Sequence, residues 1–266
     1  MSSNDAGREN GALIAPRNGV SYVRGASDAP LSDATIGEFL GATATQFPDR
    51  LAVVFREQGI RWTWREFSDE VDVLAAGLLG LGIATGDRVG IWSPNRVEWL
   101  MTQFATARIG AILVNINPAY RLTELEYALN KSGCVALIAA PQFKTSMYLD
   151  MLRTVAPELE KSEPGELHAA SLPQLRTVVR MGDTPTPGTL TFCELIEKGR
   201  VSLDPAALDA RAAMLSAGDA INIQFTSGTT GHPKGATLTH RNVVNNARYI
   251  ARAMRLTEND SLCIPV

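Results

Sequence analysis

Thr226-Ser227-Gly228-Thr229-Thr230-Gly231-His232-Pro233-Lys234-Gly235 packs three glycines, four hydroxyl side chains and one lysine into ten residues. Glycine lets the backbone turn its N–H groups toward a ligand, with no Cβ to block the approach. The hydroxyls add short donors, and the Lys234 ammonium is a point charge that can reach phosphate oxygens. Together these groups suit a polyphosphate. Two common phosphate patterns do not fit. One needs Gly, four residues, then Gly-Lys-Ser/Thr entering a helix. Here Gly228 to Gly231 is too short, and Lys234 is followed by Gly235. No Gly-x-Gly-x-x-Gly follows a strand either. A solvated turn rich in Gly, Ser and Thr is the plainer alternative. Ser227 lacks the Gly-x-Ser-x-Gly elbow of a nucleophile. His232 and His240 lack a third ligand at metal-binding spacing.

The whole segment resembles the signature loop of the adenylate-forming, or AMP-binding, enzyme superfamily of acyl-CoA synthetases, luciferases and peptide-synthetase adenylation domains. The match runs from Thr226 through Gly231, then Pro233-Lys234-Gly235, and continues into Leu238-Thr239-His240-Arg241-Asn242. Gln224-Phe225 before the loop and Asn245-Asn246 after it are most similar to the fatty-acyl-CoA synthetase branch. The resemblance implies an ATP-dependent acyl-CoA synthetase acting on a medium- or long-chain fatty acid. It implies ATP, Mg2+ and coenzyme A as well. Thr226, Ser227, Gly228, Thr229, Thr230, Gly231, Pro233, Lys234 and Gly235 are then the nucleotide-binding residues. Lys234 supplies the catalytic charge, Pro233 fixes φ before it, and Thr226 also touches the magnesium. Two alternatives remain beside it: a non-catalytic nucleotide-binding or interaction module, and an adenylation domain that loads a carrier protein.

Apolar strands and amphipathic helices alternate ahead of this segment. Leu51 to Phe55 and Ile60 to Trp64 flank Gln58-Gly59 as a hairpin. Thr63 and Glu66 form a capping box, and Phe67, Val71, Leu74, Leu78 and Leu81 make one helical stripe that Gly82 ends. Arg88 to Trp92 reads as a strand, followed by a helix capped by Asn95 and Glu98, carrying Trp99, Leu100, Phe104 and Ala107, and stopped at Gly110. Ala111 to Asn115 is the next strand. Thr123 and Glu126 cap a helix that Gly133 ends, and Cys134 to Ala139 is a further strand. Ile221 to Phe225 is a strand entering the loop. Ala236 to Thr239 leaves it, and Asn242 to Arg255 is a helix with Val243, Val244, Ala247, Ala251 and Met254 on one side. His240 helps to start that helix, and its arginines form a solvated face. The expected fold is therefore α/β, with parallel sheet layers flanked by helices. By resemblance it is the N-terminal portion of the large domain of an adenylate-forming enzyme, truncated, with the C-terminal domain absent.

Residues 1–30 read as an irregular leader, and 31–266 as the incomplete AMP-binding domain. Six prolines between residues 157 and 218 mark a subdomain boundary, with Leu175 to Met181 a strand. The net charge of −3 gives no electrostatic case for nucleic acid. The four tryptophans sit at core positions. Cys134, Cys193 and Cys263 show neither zinc spacing nor a disulfide framework, and each reads as a reduced core residue. No apolar run is long enough for a membrane span. Asp5 and Glu9 oppose a targeting peptide, so a cytoplasmic location is expected. The composition is silent on oligomeric state.

Overall fold

The computed structural model describes residues 30–226 and 233–264. The leader up to residue 29, the loop residues Ser227 to His232, and Pro265-Val266 lie outside the described residues. Ser32–Val266 forms one compact unit.

The chain enters helix α1 (Ile36–Gln46), then an antiparallel hairpin of β1 (Leu51–Phe55) and β2 (Ile60–Thr63), turned at Gly59 with φ of 66°. Helix α2 (Trp64–Gly80) leads to β3 (Arg88–Trp92), α3 (Val97–Ile109), β4 (Ile112–Asn115), α4 (Leu122–Ser132) and β5 (Cys134–Ala139). A two-residue ribbon, β6 (Gln142–Phe143) and β7 (Ser146–Met147), precedes α5 (Tyr148–Val155). Then come β8 (Thr177–Arg180), β9 (Leu190–Thr191), α6 (Phe192–Ser202) and α7 (Pro205–Ala212). Finally β10 (Ala220–Thr226), β11 (Lys234–Thr239) and α8 (His240–Ala253) follow.

Seven strands form one sheet in the order β11-β10-β4-β3-β5-β8-β9. All pairings in it are parallel except β10 with β11. All six residues of β5 are buried, as a strand covered on both faces by helices requires. The strand order reverses around β3, with β4 on one side and β5 on the other. In such sheets ligands gather outside the carboxyl ends of the strands. The carboxyl end of β10 is Thr226.

Local chemistry explains the helix starts. Thr35 with Glu38, Thr63 with Glu66, Thr191 with Glu194 and Thr239 with Asn242 are reciprocal capping boxes. In each, the threonine oxygen accepts the third helical N–H while the later side chain accepts the cap N–H. The stripe Phe67, Val71, Leu74 and Leu78 is buried, and Gly82 takes φ of 76° just after the helix. Helix α6 crosses α2 at two glycines. A Cβ on Gly77 would lie 2.6 Å from the Leu195 carbonyl oxygen, and one on Gly199 would overlap that of Val73.

Four expectations need correction. Helix α3 is not capped by Asn95 and Glu98, because Arg96 is its cap residue and makes no side-chain cap bond. Gln58 does the work instead: its Oε1 accepts the Val97 N–H at 2.9 Å and its Nε2 donates to Glu98 at 2.9 Å. Glu98 is thus held by Gln58 and by Arg96 at 2.8 Å. The buried residues of α3 include Val97, Met101, Ala105, Ile109 and the expected Ala107, with Trp99, Leu100 and Phe104 only half-buried. Helix α4 starts earlier than expected: the Arg121 N–H donates to Glu124, while Thr123 and Glu126 are exposed. In α8, Val244 is buried and Val243 and Ala251 are half-buried, but Ala247 and Met254 are exposed. Helix α8 packs against α1 and β11, with its buried residues in its first two turns and most later ones exposed. Among the cysteines Cys134 is buried, whereas Cys193 and Cys263 are exposed and free.

Candidate functional site

Strands β10 and β11 form the hairpin that carries the glycine- and hydroxyl-rich segment. Phe225 pairs with Gly235 and Thr226 with Lys234. The hairpin adds one edge to the parallel sheet through β10, whose Asn222, Ile223 and Gln224 register with Leu113, Val114 and Asn115 of β4. The open end of the hairpin therefore rises from the carboxyl edge of the sheet.

Of the nine expected binding residues, Thr226, Pro233, Lys234 and Gly235 are described, and the structure brings them together. The Thr226 hydroxyl donates to the Lys234 carbonyl at 3.4 Å, a long bond that leaves the oxygen lone pairs available. Thr226, Lys234 and Gly235 are exposed. Among the described residues no carboxylate lies within ion-pair distance of Lys234. A Cβ on Gly235 would come within 3.1 Å of Ile223 Cγ2, so the position favours a residue without one. An unneutralised ammonium and an exposed hydroxyl at one strand edge are compatible with phosphate oxygens and with one contact to a hard cation. Ser227, Gly228, Thr229, Thr230 and Gly231 lie outside the described residues.

Residues not singled out by the sequence hold this hairpin. Asn115 Nδ2 donates to Asn222 Oδ1 at 3.3 Å, and Asn222 Nδ2 donates to Gln103 Oε1 at 3.1 Å. This amide chain links β4, β10 and α3 directly behind the site. Asparagine is disfavoured inside strands, and that was the available signal. Tyr127 of α4 donates its hydroxyl to the Pro233 carbonyl at 3.2 Å. Beyond β11, His240 is fully buried and accepts the Ile36 N–H on Nδ1 at 3.1 Å. Helix α8 begins at His240, as expected, with Thr239 as its cap, and the His240 ring also caps α1. Burial pushes its pKa below the ordinary value, against the opposing pull of Asp219 and Glu38. Asn245 seals the same contact, accepting the Ser32 N–H and donating to the Ser32 carbonyl, both at 2.8 Å.

A groove of about 660 Å³ lies elsewhere, between α1, α2 and α7. Its Arg108 is held by Asp72 at 2.9 Å and Asp209 at 2.6 Å, so its charge is already neutralised. No hairpin residue lines it. Among the described residues, no cluster of three or more His, Cys, Asp or Glu side chains could hold a metal by itself. No helix there is long and apolar enough to cross a membrane.

Residues 40–266 match the family described as AMP-binding enzyme. A mitochondrial medium-chain acyl-CoA ligase of Mus musculus, ACSF2, is 47% identical over 241 residues, covering 91% of this chain and 39% of that protein. Its counterpart in Danio rerio is 45% identical over 248 residues, covering 92% and 41%. The solved long-chain-fatty-acid-CoA ligase of Archaeoglobus fulgidus superposes with a TM-score of 0.68 at 26% identity, over 90% of this chain and 43% of that one. The chain thus spans about two fifths of the length of the relatives it matches.

Proposed function

The chain belongs to the AMP-binding enzyme family, and from that premise we propose that it is the triphosphate-gripping part of an ATP-dependent acyl-CoA synthetase. The observation that carries this is the Thr226–Lys234 pair at the carboxyl edge of a parallel sheet, with Lys234 free of any acidic partner among the described residues. The overall reaction joins a fatty acid, ATP and coenzyme A to give acyl-CoA, AMP and pyrophosphate. In its first half a carboxylate oxygen bonds to the α-phosphorus, the bond to the β-phosphate bridge breaks, and pyrophosphate leaves. In the second half a thiolate sulfur bonds to the acyl carbon and AMP leaves with the C–O electron pair; the thiol proton goes to solvent.

Such transfers need charge compensation and alignment more than covalent help. Lys234 offsets charge on the β- and γ-phosphates. The hydroxyls of Ser227, Thr229 and Thr230 donate to phosphate oxygens, and that of Thr226 does so by exchanging its long bond to the Lys234 carbonyl. Gly228, Gly231 and Gly235 leave room for the backbone to approach, and Pro233 restrains the chain before the lysine. Magnesium, when bound, neutralises further phosphate charge, and Thr226 is the residue that would face it.

A medium- or long-chain fatty acid is the proposed substrate, supported by the names of the relatives from Mus musculus and Archaeoglobus fulgidus. Residues 31–266 are proposed as part of the large N-terminal domain, with a subdomain boundary between 157 and 218. The cytoplasmic location proposed from the sequence competes with relatives named mitochondrial, and cell fractionation separates the two. Pyrophosphate exchange by the gene product, including any coding sequence beyond codon 266, tests the activity. Exchange supported by a fatty acid is expected; no exchange with any carboxylic acid would refute it. The coverage of 39% favours a second reading for this chain alone, nucleotide binding without turnover.

A further inference from the structure

Among the described residues, a phenol from outside the hairpin holds the start of its second strand, and its position gives it a role. Tyr127 sits half-buried on α4, between β4 and β5 in sequence, and its hydroxyl donates to the Pro233 carbonyl at 3.2 Å. The next residue is Lys234, so this bond fixes the carbonyl immediately before the charged side chain. Across the hairpin, Lys234 is held through its own carbonyl by Thr226. Among the described residues, strand β11 is the edge of the sheet, paired only with β10. An edge strand without a second neighbour frays readily, so a tether at its first residue controls where it starts. Tyr127 is also separated from Pro233 by 106 residues, so the contact ties the tip to the fixed α/β core rather than to itself.

We propose that Tyr127 is a positioning residue for triphosphate binding, acting through the Pro233 carbonyl to set the backbone that carries Lys234. The proposal rests on the phosphate reading of the hairpin. Removing the hydroxyl keeps the ring and deletes the bond to the Pro233 carbonyl.

The test compares the intact chain with Tyr127→Phe, and with Tyr120→Phe as a control from the same neighbourhood. Hydrogen exchange should quicken by about three- to tenfold at residues 234–236 in Tyr127→Phe, the range of one neutral hydrogen bond. Exchange in β3 and β5 should stay unchanged. Affinity for magnesium-ATP should fall by a similar factor, with the same unfolding midpoint, and Tyr120→Phe should match wild type. Unchanged exchange at 234–236 would overturn the tether whatever the nucleotide does. Faster exchange with equal ATP affinity would reduce Tyr127 to a structural contact and overturn the proposal. ATP bound by neither protein, with exchange still quickened, would sink the phosphate reading rather than the tether.

Discussion

Thr226 and Lys234 face each other across the β10–β11 pair, the threonine hydroxyl donating to the lysine carbonyl at 3.4 Å. The backbone of Lys234 is thereby held while its ammonium stays in solvent. Behind the pair, Asn222 and Asn115 join β10 to β4 through their side-chain amides. The charge is thus presented from a strand edge braced by the core, which is what alignment of a flexible polyphosphate demands.

The α2–α6 crossing predicts an asymmetry among glycines. Gly199→Ala would drive a methyl group into the Val73 carbonyl, so the helices must part. We expect a loss of about 1–3 kcal/mol in urea unfolding, as for other overpacked contacts. Gly41→Ala, in α1 with nothing within 4 Å of the new Cβ, should instead gain about 0.5–1 kcal/mol. Equal effects at the two positions would contradict the close approach.

His240 predicts a pH dependence. Its folded pKa lies below the ordinary 6.5 because it is buried. The unfolded chain therefore binds a proton first as pH falls, and stability drops. The contribution is complete above pH 6.5 and is lost progressively below it. His240→Asn can still accept from Ile36 but cannot titrate. Its unfolding midpoint should change less than that of wild type between pH 7.5 and pH 5. A parallel pH dependence in both proteins would exclude His240 as the source.

Thiol reactivity should separate the cysteines. Cys134 is buried, with its pKa pushed up to about 12, and should react with a maleimide only on unfolding. Cys193 and Cys263 are exposed and should react in the native protein. Partial burial and nearby Asp183, Glu98, Glu197 and Glu194 raise the Cys193 pKa, so its rate should climb with pH into the alkaline range. Labelling of Cys134 at native rates would contradict the packing of β5.

The strands β3 and β5 were legible to the residue, because covered parallel strands are continuous apolar runs. The Thr63–Glu66 capping box was legible because both partners lie three residues apart. The start of α3 was not, since Gln58 reaches it from 39 residues away. The same limit hid Tyr127, whose partner Pro233 is remote, and His240, which serves another helix. The apolar side of α8 was legible as a pattern, yet a pattern says nothing about how much of it is covered: Ile250 and Met254 remain exposed. The chemistry of Lys234 and Thr226 was read from residue types. Their pairing across a strand edge became visible only with the register.

Calorimetric titration of the intact chain with magnesium-ATP tests the central claim most directly. We predict saturable binding that Lys234→Ala weakens by about 10- to 100-fold, the worth of one charged hydrogen bond, without moving the unfolding midpoint. Absence of binding, or equal affinity in the two proteins, would contradict the account.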